Sequence, residues 1–131
     1  MKIINTSGKR KRSIARAVLT EGKGIVRVNK KLLSSMEPKL ARLKLEEPMI
    51  LAGDLTAKVN ININVHGGGI MSQAEASRVA LCRALVQYSA PLKKRYLEYD
   101  RSFLVSDMRR KEVSKPNRHG QARSKVQKSY R

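Results

Sequence analysis

The chain has 131 residues, which suits one domain, and its 29 Lys and Arg against 10 Asp and Glu give a formal net charge of +19. Self-repulsion of that size destabilises a compact fold, so the charge indicates a polyanionic partner. A single cysteine excludes an intrachain disulfide, residues 1–5 lack the apolar run of a signal peptide, and no segment approaches the roughly 20 apolar residues of a membrane span.

The positive charge lies at the two ends of the chain. Residues 1–31 carry ten basic and one acidic side chain, and residues 93–131 carry thirteen and four. Residues 32–92 between them carry six and five. This distribution is typical of a near-neutral domain flanked by arms that bind a polyanion.

The first predicted element is a basic entry followed by a β-hairpin. The entry, Gly8–Ser13, is compatible with a nuclear-localisation patch or a phosphate-binding arm. Ile14–Thr20 and Ile25–Asn29 are β-capable and are separated by a glycine-containing turn, which predicts that they pair. Arg16 and Arg27 are expected on the solvent or RNA side of this hairpin.

A short helix is predicted next. One of the two serines at 34–35 would cap it, with Pro38 in its first turn. Leu40 and Leu43 give it an apolar stripe, and Pro48 is expected to end it.

The clearest signal is a half-buried strand followed by a glycine loop and a helix. Apolar and polar residues alternate strictly from Leu55 to Val65. Its row of amides, Asn60, Asn62 and Asn64, suits a solvated strand face and RNA contact equally. After Gly67–Gly69 the spacing predicts a helix from Ser72 or Gln73 to about Ser89. Its expected core face consists of Ala80, Leu81, Ala84, Leu85 and Tyr88.

The C-terminal end is predicted to be an extended basic tail. Residues 93–97 indicate a short basic helix, and Leu104, Val105 and Met108 are the last apolar anchors. Residues 109–131 hold nine basic side chains and one acid. A segment of this composition is expected to be disordered when free and, fully extended, to reach on the order of 75 Å. We therefore divide the chain into a globular domain, residues 1–108, and a C-terminal tail, residues 109–131.

Neither an active site nor a metal or cofactor site is expected. The glycine loop lacks the Lys-Ser/Thr of a phosphate-binding P-loop, so a tight turn is the better interpretation. His66, His119 and Cys82 are too few for a metal site, and no nucleophile has a base and an orienting group. Aromatic residues are scarce, so phosphate contact is favoured over base stacking.

Several stretches together resemble the small-subunit ribosomal protein nine family. The Tyr130–Arg131 ending resembles its archaeal or eukaryotic-type form. The stretches follow the family's order along almost the whole chain: Gly8–Lys11, Ser13–Ala17, Gly22–Asn29, Val65–Gly69, Ser72–Ala76, Arg78, Asp100–Arg101, Asp107–Glu112, Gly120–Arg123 and Gln127–Arg131.

The resemblance implies an α+β, S5 domain 2-like fold, with a mixed β-sheet packed with helices and an extended basic tail. It also implies a structural role in the head of the small ribosomal subunit, in the cytoplasm, beside rRNA and neighbouring head proteins. The end of the tail would contact the anticodon stem-loop of P-site tRNA. No membrane and no small-molecule substrate are implied.

The expected contacts form two groups. Those to tRNA come from Lys128, Ser129, Tyr130 and Arg131. Those to rRNA come from Lys9, Arg10, Lys11, Arg12, Arg16, Gly67, Gly68, Gly69, Arg109, Arg110, Lys111, Lys115, Arg118, Arg123 and Lys125. Two other functions stay open: a free-standing nucleic-acid-binding or RNA-chaperone protein, and a translational regulator acting off the ribosome.

Overall fold

A five-stranded mixed sheet with helices on one face carries the fold in the computed structural model, which describes residues 1–130. Short 3-10 turns at Leu33–Ser35, Gly53–Lys58 and Arg101–Phe103 join the regular elements. The strands are β1 (Ile3–Arg10), β2 (Ser13–Glu21), β3 (Val26–Val28), β4 (Lys31–Leu32) and β5 (Val59–His66), and the helices are α1 (Lys39–Ala52), α2 (Ile70–Tyr88) and α3 (Leu92–Tyr99).

The strand order is β1-β2-β5-β3-β4. All neighbouring pairs are antiparallel except β3 with β5, which is parallel. A parallel pair needs a crossover, and α1 supplies it between β3 and β5. The predicted α+β fold, a mixed sheet packed with helices, is confirmed, and the architecture is consistent with an S5 domain 2-like fold.

The core lies between one face of the sheet and helices α1 and α2. In β5 the side chains of Val59, Ile61, Ile63 and Val65 are buried, as their alternation predicts. A Cβ added to Gly8 of β1 would collide with the backbone carbonyl of Ala76, so the glycine lets α2 approach β1 closely. The other face of the sheet is left open.

An aromatic cluster holds the chain where it leaves the domain. The fully buried ring of Phe103 lies edge-on to the ring of Tyr96 and stacks on that of Tyr99. Its centroid is 5.5 Å from the centroid of each of these two rings. The Tyr96 hydroxyl donates to the Pro48 carbonyl at 2.9 Å, and the Arg78 guanidinium lies 5.0 Å from the Phe103 ring centroid. Because Tyr96 and Phe103 are buried, the segment that follows them starts from a fixed point.

The predicted N-terminal hairpin is wrong. Residues 14–20 do lie in a strand, but its hairpin partner is β1, which precedes it. Residues 26–28 pair with β5 instead. The strand β1 was missed because Ile3 and Ile4 are its only large apolar residues, so it shows little apolar periodicity.

Three predicted boundaries are also wrong. Helix α1 continues through Pro48, whose ring is buried, and its core face carries Ala41 and Leu45, while Leu40 and Leu43 are exposed. Burial of the ring and the bond from Tyr96 offset the backbone hydrogen bond that proline cannot donate.

The other two corrections concern the start of β5 and the last residue that packs on the core. The strand β5 begins at Val59, because residues 53–58 form a 3-10 turn. Met108 is 91% exposed and does not anchor the chain, whereas Leu104 packs against the core. The predicted helices at 72–89 and 93–97 are confirmed as α2 and α3, within two or three residues.

Candidate nucleic-acid interface

A cleft of about 740 Å³ opens where the β1–β2 turn, the loop before α2 and the start of the C-terminal tail meet. Every charged residue that lines it is basic. The cleft therefore gathers positive charge from the two ends of the chain. The lining residues are Lys11, Arg12, Gly68, Gly69, Ser72, Arg109, Arg110 and Lys111.

Two glycines set the loop against the turn. Gly67 and Gly68 have φ values of +78° and +64°, and a Cβ at Gly67 would lie 2.7 Å from the Arg12 carbonyl oxygen. A Cβ at Gly68 would collide with the Ser13 hydroxyl. That hydroxyl instead donates to the Gly67 carbonyl at 2.8 Å. The glycines thus allow the close approach of two segments, which places the loop against the β1–β2 turn, where Gly68 and Gly69 line the cleft.

The N-terminus of α2 adds to the positive potential of the cleft. Gly69 occupies the N-cap position of this 19-residue helix, and no side chain caps it. The first turn also carries no acidic residue. Backbone N–H groups and the helix dipole therefore favour an anion at this end of the helix.

Ion pairs hold the start of the C-terminal tail beside the cleft. The Arg10 guanidinium bridges Glu75 and Asp107, with N–O distances of 2.6 Å to each. Glu75 also pairs with Lys44 at 2.6 Å, and Asp107 with Arg109 at 2.6 Å. Hydrogen bonds from Arg109 hold the pKa of Asp107 far below its usual range. The network ties β1, α1, α2 and the tail together.

Arg83 of α2 fixes the segment that leads to this network. Its guanidinium donates to the Leu104 carbonyl at 3.1 Å, the Ser7 carbonyl at 2.8 Å and the Ser106 hydroxyl at 3.2 Å. Arg110 then donates to the carbonyl of Lys11 across the cleft. The tail therefore leaves the domain at the cleft itself.

The network predicts acid sensitivity. Partial burial acts to raise the pKa of Glu75, but hydrogen bonds from Lys44 and Arg10 outweigh it and hold the pKa below its ordinary value of 4.5. A lowered folded-state pKa stabilises the fold above pH 4.5 and ceases to do so as pH falls through the folded-state pKa. We expect Glu75→Gln to lower Tm by about 2–5 °C at neutral pH. Below pH 4 the Tm of the variant and that of the unaltered chain should approach each other.

Thermal melts from pH 7 to pH 3 check this prediction. Glu98→Gln is the matched control, since Glu98 is exposed and makes no ion pair within residues 1–130. A constant Tm difference between Glu75→Gln and the unaltered chain at all pH values would contradict the prediction.

Comparison with known proteins identifies the family. A family model described as ribosomal protein S9/S16 matches residues 8–131. The chain belongs to this family. The small ribosomal subunit protein uS9 of Methanococcus maripaludis strain C7 is 49% identical over 134 residues, and that of Methanothrix thermoacetophila is 50% identical over 133. Both alignments span 100% of each chain.

Membership of the S9/S16 family confirms two predictions. A protein of this family is a structural component of the ribosome, not an enzyme. The relatives just named are archaeal, in agreement with the Tyr130–Arg131 ending. Within residues 1–130, no helix has the length and apolarity needed to cross a membrane.

Some of the residues predicted to bind rRNA in this S9/S16 chain lie in the domain but outside the cleft, and they do not form one cluster. Lys9 is exposed next to it, and Arg16 lies on the open face of the sheet. Arg10 has two carboxylate partners, so its charge is already compensated. Arg10 does not line the cleft but helps to hold the tail beside it, and its contact with rRNA stays a prediction.

The tail residues of the S9/S16 chain are exposed or paired with one another. Lys115 and Arg123 each bind Glu112 at 2.8 Å, and these hydrogen bonds lower the pKa of Glu112 to about 2. Arg118 donates to the Arg123 carbonyl at 3.2 Å and forms an isolated β-bridge with Lys125. These contacts join residues of the tail to one another and not to the domain, so they do not fix the path of the tail relative to the domain.

Three of the four predicted tRNA-binding residues, Lys128, Ser129 and Tyr130, are exposed. The fourth, Arg131, lies outside the described residues. Their contact with tRNA stays a prediction.

Sequence reasoning missed the residues that position the cleft. Glu75 is the sole acidic residue between Asp54 and Glu98, and a lone acid in so basic a chain was the signal for an ion pair. Arg83 gave no such signal. Asn60 also proves structural, because its side-chain oxygen accepts from the backbone N–H groups of Lys23 and Ile25 at 2.9 and 3.1 Å.

Neither the cysteine nor the histidines form a reactive or metal-binding group in the part of the chain that the structure describes. No cluster of three or more His, Cys, Asp or Glu residues there is placed to hold a metal ion. Cys82 is buried, and this burial raises the pKa of its thiol. Cys82 is therefore a core residue.

Proposed function

We propose that this chain is a structural component of the small ribosomal subunit, in the cytoplasm, and that it docks on rRNA in the subunit head. The cleft carries the proposal, because five basic side chains surround an uncapped helix N-terminus there. The names of the archaeal relatives, which are small ribosomal subunit proteins, support the choice of subunit. Neighbouring head proteins are the other expected partners, without membrane, cofactor or small-molecule substrate.

The chemistry of the cleft suits the phosphates of a folded RNA. Arg12, which makes no side-chain hydrogen bond or salt bridge within residues 1–130, offers a planar guanidinium group that can bind phosphate in a bidentate way, while Lys11 and Lys111 act as point charges. Backbone N–H groups of the loop and helix add donors that do not depend on sequence. Contacts of this kind fix the position of a protein on RNA without reading its bases.

The second part of the proposal is a division between a docking domain, residues 1–108, and a tail, residues 109–131, that is disordered when free. Beyond Arg110, the side-chain hydrogen bonds of the described tail all join residues of the tail to each other. With almost no apolar surface to bury, the tail would order only against rRNA. Its end, Lys128–Arg131, would then reach P-site tRNA.

Co-sedimentation tests the proposal. The full chain replaces the family member of an archaeal cell, and its amount in small subunits is measured after a high-salt wash. We expect one copy of the chain to remain bound to each small subunit after the wash. Release into the free fraction would contradict the proposal and favour a free-standing nucleic-acid-binding protein, an RNA chaperone or a regulator acting off the ribosome.

A further inference from the structure

Four polar side chains form a row across the open face of the sheet. In the register of the strands, Arg16 of β2 lies opposite Asn64 of β5, and Arg27 of β3 lies opposite Asn62 of β5. All four side chains are exposed. With strands about 4.8 Å apart and alternate residues about 6.7 Å apart, the Cα atoms of the two arginines are about 12 Å apart. We call these residues the Arg–Asn row.

The Arg–Asn row is unpaired in a protein that pairs many of its polar side chains. Within residues 1–130, none of the four donates or accepts a side-chain hydrogen bond, and neither arginine forms a salt bridge. By contrast, Arg10 and Arg83 bind partners inside the domain. The row therefore presents its full hydrogen-bonding capacity outward.

The surroundings of the row favour RNA over protein. The described strand residues on this face include no acidic side chain and no Phe, Tyr or Trp, so an anionic partner is attracted and phosphate and sugar contacts are favoured over base stacking. None of the four residues of the row lines the cleft, which lies at the β1–β2 turn. The outward-facing strand residues are Ile3, Asn5, Ser7, Lys9, Ile14, Arg16, Val18, Thr20, Arg27, Leu32, Asn60, Asn62, Asn64 and His66.

We infer that the Arg–Asn row is a second RNA-binding surface, which takes a paired RNA across its minor groove. Arg16 and Arg27 bind phosphates on the two strands, and the amides of Asn62 and Asn64 hydrogen-bond to ribose 2′-hydroxyls between them. The wide, shallow minor groove of an RNA helix displays those hydroxyls, whereas a DNA helix lacks them. The inference deepens the proposed rRNA docking and rests on it for its biological setting.

The test compares two duplexes of the same sequence, about 16–20 base pairs long, one of RNA and one of DNA. Their affinities for the full chain are measured before and after the double change Asn62→Ala and Asn64→Ala. We expect about a tenfold loss of affinity for RNA and a change of less than about twofold for DNA, because only RNA has the 2′-hydroxyl. Gln87→Ala, an exposed amide on α2, is the control and should alter neither affinity.

The positive charges have their own comparison. Arg16→Gln with Arg27→Gln should weaken RNA binding more than Lys93→Gln with Arg95→Gln, which removes the same charge from exposed positions on α3. Repeating the asparagine experiment in a chain with Lys11→Gln and Arg12→Gln weakens binding through the cleft and so reduces its share of the measured affinity.

The inference would be overturned if the two asparagine changes lowered the affinities for RNA and DNA equally. It would also be overturned if they left the affinity for RNA unchanged, both in the otherwise unaltered chain and in the chain with Lys11→Gln and Arg12→Gln. Retention on small subunits in the co-sedimentation experiment would then leave the proposed function standing, so the two failures are distinguishable.

Discussion

Replacing Lys11, Arg12 and Lys111 by glutamine is expected to lower the affinity of the chain for folded rRNA on the order of 100-fold at moderate salt. All three side chains line the cleft, and none forms a salt bridge or side-chain hydrogen bond within residues 1–130. Each is expected to neutralise one phosphate. The slope of log K against log salt concentration should therefore fall by about 1 for each residue replaced.

The control for this prediction is a chain with glutamine in place of Lys93, Lys94 and Arg95. It removes the same net charge from exposed positions on α3, away from the cleft. Binding of both variants to a transcript of small-subunit rRNA is measured over a range of salt concentrations, with a thermal melt of each to confirm folding. Equal losses in the two variants would show that the net charge, not the cleft, governs binding.

The periodic parts of the fold were predictable because burial there follows the spacing of single elements. Four alternating apolar residues of β5 are buried as the pattern requires, and α2 runs within three residues of its predicted limits. Pairing between strands follows a different logic. The residues of β3 pair with β5, which lies more than 30 residues later, and nothing local in the sequence distinguishes that partner from β2.

Helix α1 shows how tertiary contacts override a local signal. A proline ordinarily ends a helix, but Pro48 is buried in the core and its carbonyl accepts from the Tyr96 hydroxyl. The buried tyrosine lies 48 residues later, so the compensation was invisible in the local sequence. The exposed positions of Leu40 and Leu43 follow from the same core-facing arrangement.

The candidate site was predictable as a set of charges but not as a geometry. The basic stretches around Lys11 and Lys111 were evident, yet their meeting at one cleft depends on the pairing of β1 with β2, which was missed. The sequence also does not distinguish Arg10, which binds two carboxylates, from Arg12, which binds none. That difference depends on where Glu75 lies in the fold.

Deleting Ser129–Arg131 is expected to weaken retention of P-site tRNA by about tenfold while leaving assembly of the small subunit nearly intact. Assembly would depend on the domain and the cleft, which the deletion does not touch. The lost groups are a guanidinium, a phenol and a hydroxyl at the end of the chain, and a single charged phosphate contact accounts for an effect of this size. The measurement is the dissociation rate of tRNA from subunits that carry the full or the shortened chain.

A chain with Lys125→Gln separates the contact at the end of the tail from charge along it. Lys125 is exposed and is predicted to bind rRNA, so this change should alter tRNA dissociation by less than about twofold. A photoreactive analogue at position 131 then reports what the end of the tail touches. A crosslink to the tRNA anticodon stem agrees with the prediction, whereas a crosslink to rRNA alone, with unchanged tRNA retention in the shortened chain, would refute the tRNA contact but not the ribosomal role. The two results differ because the tail and the cleft would bind different RNA molecules, and only an extended tail would reach beyond the domain.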